Sequence, residues 1–273
     1  MNPSVSSSRV PNVLSIAGCD PSGGAGILAD VKAFSALGAY GTAVLTALTA
    51  QNTLAVTGVE AVLPGFVRAQ LDTLLGDVRI DAIKVGMLAN ASIVQVVADR
   101  LERSKVPVVV DPVMVAKSGD RLLDEAAVES LRRRVLPLAL IITPNLPEAG
   151  VLLGRPAPSS LREMREAAVA LGAMGPRHVL IKGGHLSGDE SPDVWFDGQR
   201  TVELGAPRVP TQNTHGSGCT LSAAITALIP QRPDLESAVR DAKAYVSGAL
   251  AASHALSVGS GHGPLHHFHA LWR

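Results

Sequence analysis

The run Asn213-Thr214-His215-Gly216-Ser217-Gly218-Cys219-Thr220 is the part of the chain best equipped for chemistry. It opens onto an Ala-rich stretch, Leu221 to Leu228, that reads as a helix. Gly216 and Gly218 let the backbone approach a ligand closely. The free amides and positive dipole end of a helix start attract an anion. A thiol there is expected to have a lowered pKa and a share of thiolate. Two other uses stay open on this text alone. One is a Gly-rich helix entry with a buried cysteine; the other is a hydrolase nucleophile, with His215 as the nearby base.

A second Gly-rich stretch is Gly18-Cys19-Asp20-Pro21-Ser22-Gly23-Gly24-Ala25-Gly26. It is no Walker A loop, because Gly24 stands where the lysine belongs, and it lacks Gly-x-Gly-x-x-Gly spacing. Asp30, one turn into the following helix, faces either this loop or solvent. Asp111, in Asp111-Pro112-Val113-Met114, follows a valine run and can hold a cation. Asn145 and Glu148, in Thr143-Pro144-Asn145-Leu146-Pro147-Glu148, suit either Mg²⁺ held through water or a helix cap. Lys182, before Gly183-Gly184-His185, can meet a phosphate as a point charge. A cation for phosphate, acids for Mg²⁺ and an amide cradle are the parts of phosphoryl transfer, where positioning and charge stabilisation dominate. The tail Gly261-His262-Gly263-Pro264-Leu265-His266-His267-Phe268-His269 fits no Cys/His zinc spacing and is expected to be a packed or interface segment.

These groups all sit in loops just after apolar runs. Strands are expected at 13–17, 42–49, 57–63, 81–85, 106–110, 140–142 and 179–181, with a hairpin at 194–196 and 201–204 split by Asp197-Gly198. Helices are expected at 24–37, 64–75, 90–104, 124–135, 147–153, 160–174, 218–229 and 235–254. Strands separated by helices predict an α/β chain with a central, mostly parallel sheet flanked by helices on both faces. Ligands of such sheets bind at the carboxyl ends of the strands. Residues 1–11 read as a flexible Ser-rich tail without the apolar core of a secretion signal. Residues 12–273 read as a single domain.

Of 273 residues, 47% are hydrophobic and 18% charged, which excludes a disordered chain. Lys plus Arg and Asp plus Glu number 24 each, so no broad basic face for nucleic acid is expected. Arg132-Arg133-Arg134 reads as a solvated helix end. Two cysteines, Cys19 and Cys219, make no disulfide framework and point to a reducing, cytoplasmic setting. The uncharged stretch 33–59 is broken by Gly, Thr and Gln51-Asn52, and reads as buried core rather than membrane.

Together the motifs resemble the hydroxymethylpyrimidine/phosphomethylpyrimidine kinases of thiamine synthesis, in the ribokinase-like superfamily. The resemblance runs from about Val13 to Trp272. It is carried by Ala17-Gly18, Asp20-Pro21-Ser22-Gly23-Gly24-Ala25-Gly26-Ile27, Thr46-Ala47-Leu48, Ala50-Gln51-Asn52-Thr53, Lys84-Val85-Gly86-Met87-Leu88 and Lys117-Ser118-Gly119. Ile142 to Ala149, Lys182 to His185, Asn213 to Gly216 and His266 to His269 complete it. The resemblance implies a three-layer α/β/α ribokinase-like fold, a homodimer, ATP and Mg²⁺. It also implies two successive phosphoryl transfers: to the hydroxymethyl of 4-amino-5-hydroxymethyl-2-methylpyrimidine, and then to the monophosphate.

By the same likeness Gly18, Asp30, Gln51 and Met87 line the pyrimidine pocket. Asp111, Asn145, Lys182 and Thr214 serve the nucleotide, with Glu148 and Asp111 toward Mg²⁺. Gly216, Ser217 and Gly218 form the anion hole. Cys219 stands where sugar kinases of the superfamily carry the base Asp; it serves as base or aligns the hydroxyl. Cys19 stands where the family commonly has a small hydroxyl residue, Ser217 where it often has Thr, and Leu28 where it often has Gln. The alternative is a pyridoxal/pyridoxine kinase of the same superfamily; Gln51 and Met87 favour the pyrimidine.

Overall fold

The computed structural model describes residues 9–114 and 123–272. The Lys117-Ser118-Gly119 motif and most of the N-terminal tail fall outside the described residues. One nine-stranded sheet organises the chain, in the order β3-β2-β1-β4-β5-β6-β7-β8-β9. The strands are β1 (Asn12–Cys19), β2 (Tyr40–Gln51), β3 (Val56–Ala61), β4 (Ala82–Val85), β5 (Val108–Val110), β6 (Ile141–Ile142), β7 (His178–Ile181), β8 (Asp193–Phe196) and β9 (Thr201–Leu204). Strands β2-β1-β4-β5-β6-β7 run parallel, while β3 at one edge and β8 and β9 at the other are antiparallel.

Both sheet faces are covered, as a parallel sheet requires. The helices are α1 (Gly26–Ala36), α2 (Pro64–Asp77), α3 (Ala91–Leu101), α4 (Glu125–Ser130), α5 (Leu146–Leu153), α6 (Leu161–Gly172), α7 (Ser217–Leu228) and α8 (Leu235–Ala251). The period-2 alternation of strands assigns each side chain to a face. Val108, Val110, Ile142, Val179 and Ile181 pack in the large core with residues of α3–α6. Val109, Ile141 and Leu180 pack with α7 and α8 on the other face, where Val13 joins α1 and α7.

Predicted elements recur with shifted ends. β1 runs on to Cys19 because its register with β2 slips between Ala17 and Cys19, which displaces Gly18 from the regular ladder. α1 starts at Gly26 rather than at 24, because Gly23 (φ 75°) and Gly26 (φ 56°) hold the preceding loop in left-handed conformation. The helix expected over 124–135 is α4 followed by one π turn, Leu131–Val135, which contains the three arginines. Arg132 and Arg133 pair with Glu129, and Arg134 with Asp99 and Glu102. No described helix is long and apolar enough to cross a membrane.

Candidate active site

One cavity of about 550 Å³ opens at the carboxyl ends of the parallel strands. Its wall takes in Gly18 after the β1 bulge, Gln51 at the end of β2, and Lys84 and Met87 from β4. Asp111 follows β5, Asn145 and Glu148 follow β6, and Lys182 follows β7; Thr214 to Cys219 lead into α7. Of the residues given a substrate, nucleotide, metal or transfer role above, all lie on this wall except Asp30. That carboxylate is fully buried behind the wall, on neither of the faces the sequence reading offered it. Lys84 Nζ donates to both its oxygens, at 2.8 and 2.7 Å, and Ser15 Oγ donates to Oδ2 at 2.5 Å. Asp30 thus does not line the cavity, whereas its partner Lys84 does, and both its oxygens are engaged by Lys84 and Ser15.

The two Gly-rich loops close on each other. Gly216 caps α7 with φ 75°, and a Cβ there would overlap the Gly24 carbonyl oxygen. A Cβ at Gly24 would in turn overlap the His215 ring. Asp20 ties the contact together. It accepts from the Ser22 and Ala25 amides at 2.8 and 3.0 Å and lies 2.7 Å from His215 Nε2. Burial would push the Asp20 carboxyl up, yet its bonds to His215 and Ser22 hold it below the usual carboxylate range. His215 Nε2 is thus engaged with Asp20, and no hydrogen bond of the kind a cysteine hydrolase would need joins His215 to Cys219 among the described residues. The C-terminal histidine run supports the same loop: His215 N–H donates to the Gly263 carbonyl at 3.0 Å, and His267 Nε2 lies 3.1 Å from Thr220 Oγ1.

The charged wall is compact. Lys182 Nζ donates to Asp111 Oδ1 at 2.8 Å and lies 3.9 Å from Glu148. A Cβ on Gly218 would come within 3.0 Å of that ammonium, so the bare glycine leaves room beside it. Asn145 and Glu148 form a reciprocal capping box on α5, which is the helix-cap reading, and both also line the cavity. Burial pushes the Glu148 carboxyl up to about 7; Lys182 opposes this and the Asp111 charge adds to it. For Asp111 the outcome is opposite. Burial favours the neutral acid, but Lys182 and Lys84 hold it ionised below its usual range.

Cys219 departs from expectation. Burial pushes its thiol up to about 11, and the Lys84 charge and the Gly26 amide do not offset this. The site without ligands therefore holds a thiol, not a thiolate. A helix N-terminus lowers a cysteine pKa only where desolvation is small.

Sequence reasoning missed Lys84, the His215–Asp20 contact, and Lys243 with Asp193. Lys243 Nζ donates to Asp193 Oδ2 at 2.6 Å on the far wall, near Val209, Leu221, Val246 and Leu250. Their partners lie far away in sequence. Lys84 stands in the Lys84-Val85-Gly86-Met87-Leu88 motif without a role assigned from sequence, and its position one residue before the end of a strand hinted at its place.

A doubly covered parallel sheet, an amide cradle at a helix start, and a lysine between two acids at the strand ends define a class: small-molecule kinases of the ribokinase-like α/β fold. Comparison with known proteins narrows the class. The chain belongs to the phosphomethylpyrimidine kinase family, whose model matches residues 20–266. It is 56% identical over 262 residues to the hydroxymethylpyrimidine/phosphomethylpyrimidine kinase of Salmonella typhimurium, covering 96% of this chain and 98% of that one. The pyridoxal kinase of Staphylococcus aureus, solved with AMP-PCP and pyridoxal, superposes with TM-score 0.87 at 34% identity, covering 96% of each chain. The phosphomethylpyrimidine kinase of Clostridium difficile superposes with TM-score 0.78 at 38% identity, covering 88% of this chain and 99% of that one.

Proposed function

We propose that the chain phosphorylates 4-amino-5-hydroxymethyl-2-methylpyrimidine with ATP, and then phosphorylates the monophosphate to the pyrophosphate, for thiamine biosynthesis. One observation carries the reading: Gln51 and Met87, the glycine cradle at 216–218 and Lys182 between its acids share a single cavity. The end formed by Gly18, Gln51 and Met87 takes the pyrimidine; the Gln51 amide can both donate to and accept from an aminopyrimidine edge. The apolar end at Val209, Leu221, Val246 and Leu250 suits an adenine face. The phosphates then run between the ends, past Thr214, Asn145 and the 216–218 amides, to Lys182.

In the first transfer the hydroxymethyl oxygen bonds to the γ-phosphorus, the bond to the bridging β-phosphate oxygen breaks, and ADP leaves. Lys182 and the loop amides stabilise the charge on the moving group. Cys219 Sγ takes the hydroxyl proton as the thiolate; where it stays a thiol it only aligns the hydroxyl, and the proton passes to an oxygen of the transferred phosphoryl group.

Mg²⁺ fits Glu148 and Asp111. Both are oxygen donors, and Glu148 is buried with its charge suppressed, a condition that a nearby cation relieves. No cluster of three or more His, Cys, Asp and Glu side chains among the described residues would cage a metal. That agrees with an ion held mostly by phosphates and water. When bound, it neutralises charge on the phosphates.

Further parts of the reading are a single working domain over 12–273, a cytoplasmic enzyme and a homodimer. Exposed Leu48, Leu54, Val59, Leu63 and Phe66, on and around the outermost strand β3, support the dimer. The higher structural similarity to a pyridoxal kinase reflects a common fold and transfer chemistry, whereas the 56% identity to a pyrimidine kinase extends along nearly the whole chain.

The assay supplies purified protein with Mg-ATP and, in turn, the hydroxymethylpyrimidine, its monophosphate and pyridoxal, with ADP measured. ADP release with both pyrimidines supports the proposal. Release with pyridoxal alone replaces it by the vitamin B6 reading, and no release above background removes the kinase.

A further inference from the structure

At one wall of the cavity lies a chain of three buried polar side chains. Ser15 of β1, Asp30 of α1 and Lys84 of β4 are each 0% exposed. Their contacts of 2.5 to 2.8 Å satisfy both Asp30 oxygens. A buried ion pair is a poor source of stability, since desolvation offsets most of the attraction and apolar residues of similar volume often do as well.

Two observations suit the lysine for use. Lys84 forms part of the cavity wall with Ala17, Gly18, Met87 and Cys219, whereas Asp30 does not. The bare Gly86 preserves the space, because a Cβ there would come within 3.1 Å of Nζ. Helix α7, which carries Cys219 in its first turn, packs on both α1 and β4, the elements that carry Asp30 and Lys84, and Cys219 and Lys84 line the same cavity.

We propose that Lys84 is a positioning residue of the transfer reaction: held on Asp30, its ammonium supplies the positive charge against which Cys219 acts on the substrate hydroxyl. Asp30 thereby serves the lysine rather than the substrate. The proposal rests on the reading of Cys219 as the group beside that hydroxyl. The charges around Cys219 are Lys84 from β4, Asp30 from α1, Asp111 after β5 and Lys182 after β7, with the Gly26 amide donating to the sulfur. Of these, Lys84 favours the thiolate most, and Asp111 and Asp30 oppose it. Although burial favours the neutral amine, the Asp30 carboxylate holds the Lys84 amine above its usual range, so the ammonium persists.

The test reads the thiol directly. Alkylation of Cys219 by iodoacetamide is followed from pH 7 to 10 in the full-length, ligand-free protein, with peptide mass mapping to score Cys19 separately. Lys84→Met should slow Cys219 alkylation about tenfold at pH 8.5, the effect of one pKa unit, with Cys19 little changed. The double variant Lys84→Met with Asp30→Leu leaves no unpaired buried charge, so it keeps the test usable if the single variant does not fold; slowing in the same direction is expected, smaller because the opposing Asp30 charge is gone as well. Rates that superimpose on wild type in a folded variant overturn the proposal. So does a loss of turnover on the pyrimidine alcohol that lies wholly in KM. Unimpaired turnover in Cys219→Ala would remove the role of Cys219, whatever the alkylation rates. Normal alkylation in Lys84→Met beside an inactive Cys219→Ala would remove only the role of Lys84.

Discussion

Cys219 would meet two different nucleophiles. In the first transfer the attacking oxygen is an alcohol that must lose a proton. In the second it is a phosphate oxygen, already largely ionised near pH 7 because the second pKa of a phosphomonoester is about 6. A base is needed only for the alcohol. Cys219→Ala should therefore cut turnover on the hydroxymethylpyrimidine by roughly 10²-fold or more, with affinity near normal by calorimetry. Turnover on the monophosphate should fall much less. Equal losses on both substrates would make Cys219 an aligning group. Gln51→Ala should weaken the pyrimidine more than ATP in the same titrations; equal weakening would move Gln51 out of the substrate end.

Glu148 carries a pH signature. Its carboxyl, pushed up to about 7, binds a proton in the folded state at pH values where the unfolded chain has lost it. The folded state then holds more protons than the unfolded one, so this group's contribution to stability is present at low pH and falls as pH rises from about 4.5 to 7. Glu148→Gln does not titrate. Without nucleotide, its stability relative to wild type should therefore rise by about 2 kcal/mol between pH 5 and pH 7, read by thermal or urea unfolding. A pH-independent difference would show that Glu148 ionises normally.

At the level of elements, the decisive contact is between two loops rather than within either. The Gly18–Gly26 loop and the Asn213–Thr220 loop meet at Gly24, Gly216, Asp20 and His215. Gly216→Ala both places a Cβ against the Gly24 carbonyl and imposes left-handed backbone on an alanine, which alone costs about 1–2 kcal/mol. The variant should melt lower and bind Mg-ATP more weakly, because the amides of the cradle shift with the loop. Unchanged nucleotide affinity in a folded variant would separate the cradle from the phosphate. The α5 capping box shows one residue pair in two settings: the Asn145–Glu148 exchange fixes the helix start and sets both side chains at the cavity edge.

For the whole molecule, the sheet edge is the open question. Among the described residues β3 is the outermost strand on its side of the sheet, with exposed apolar side chains on and around it. A homodimer through this edge predicts a solution mass near twice 28.2 kDa by light scattering. Leu63→Glu with Phe66→Glu should shift it toward the monomer while the fold persists. A wild-type mass of a single chain at micromolar concentration would exclude this dimer.

What the amino-acid text determined by itself is local. Alternating short apolar runs and amphipathic segments specify the order of strands and helices, because periodicity is a property of neighbours along the chain. Glycines at 216 and 218 announce a close backbone approach, and the one-residue interval between them survives in the folded loop. Tertiary structure decided the rest. Asp20 finds His215 across 195 positions, and Asp30 finds Lys84 across 54. No local pattern encodes such partners, so a helix aspartate expected at the pocket or in solvent proved to be the holder of a buried lysine. The protonation of Cys219 was equally out of reach. A helix start is visible in sequence, but desolvation sums over every group that folding packs around the sulfur, and here that sum outweighs the favourable Lys84 charge and Gly26 amide.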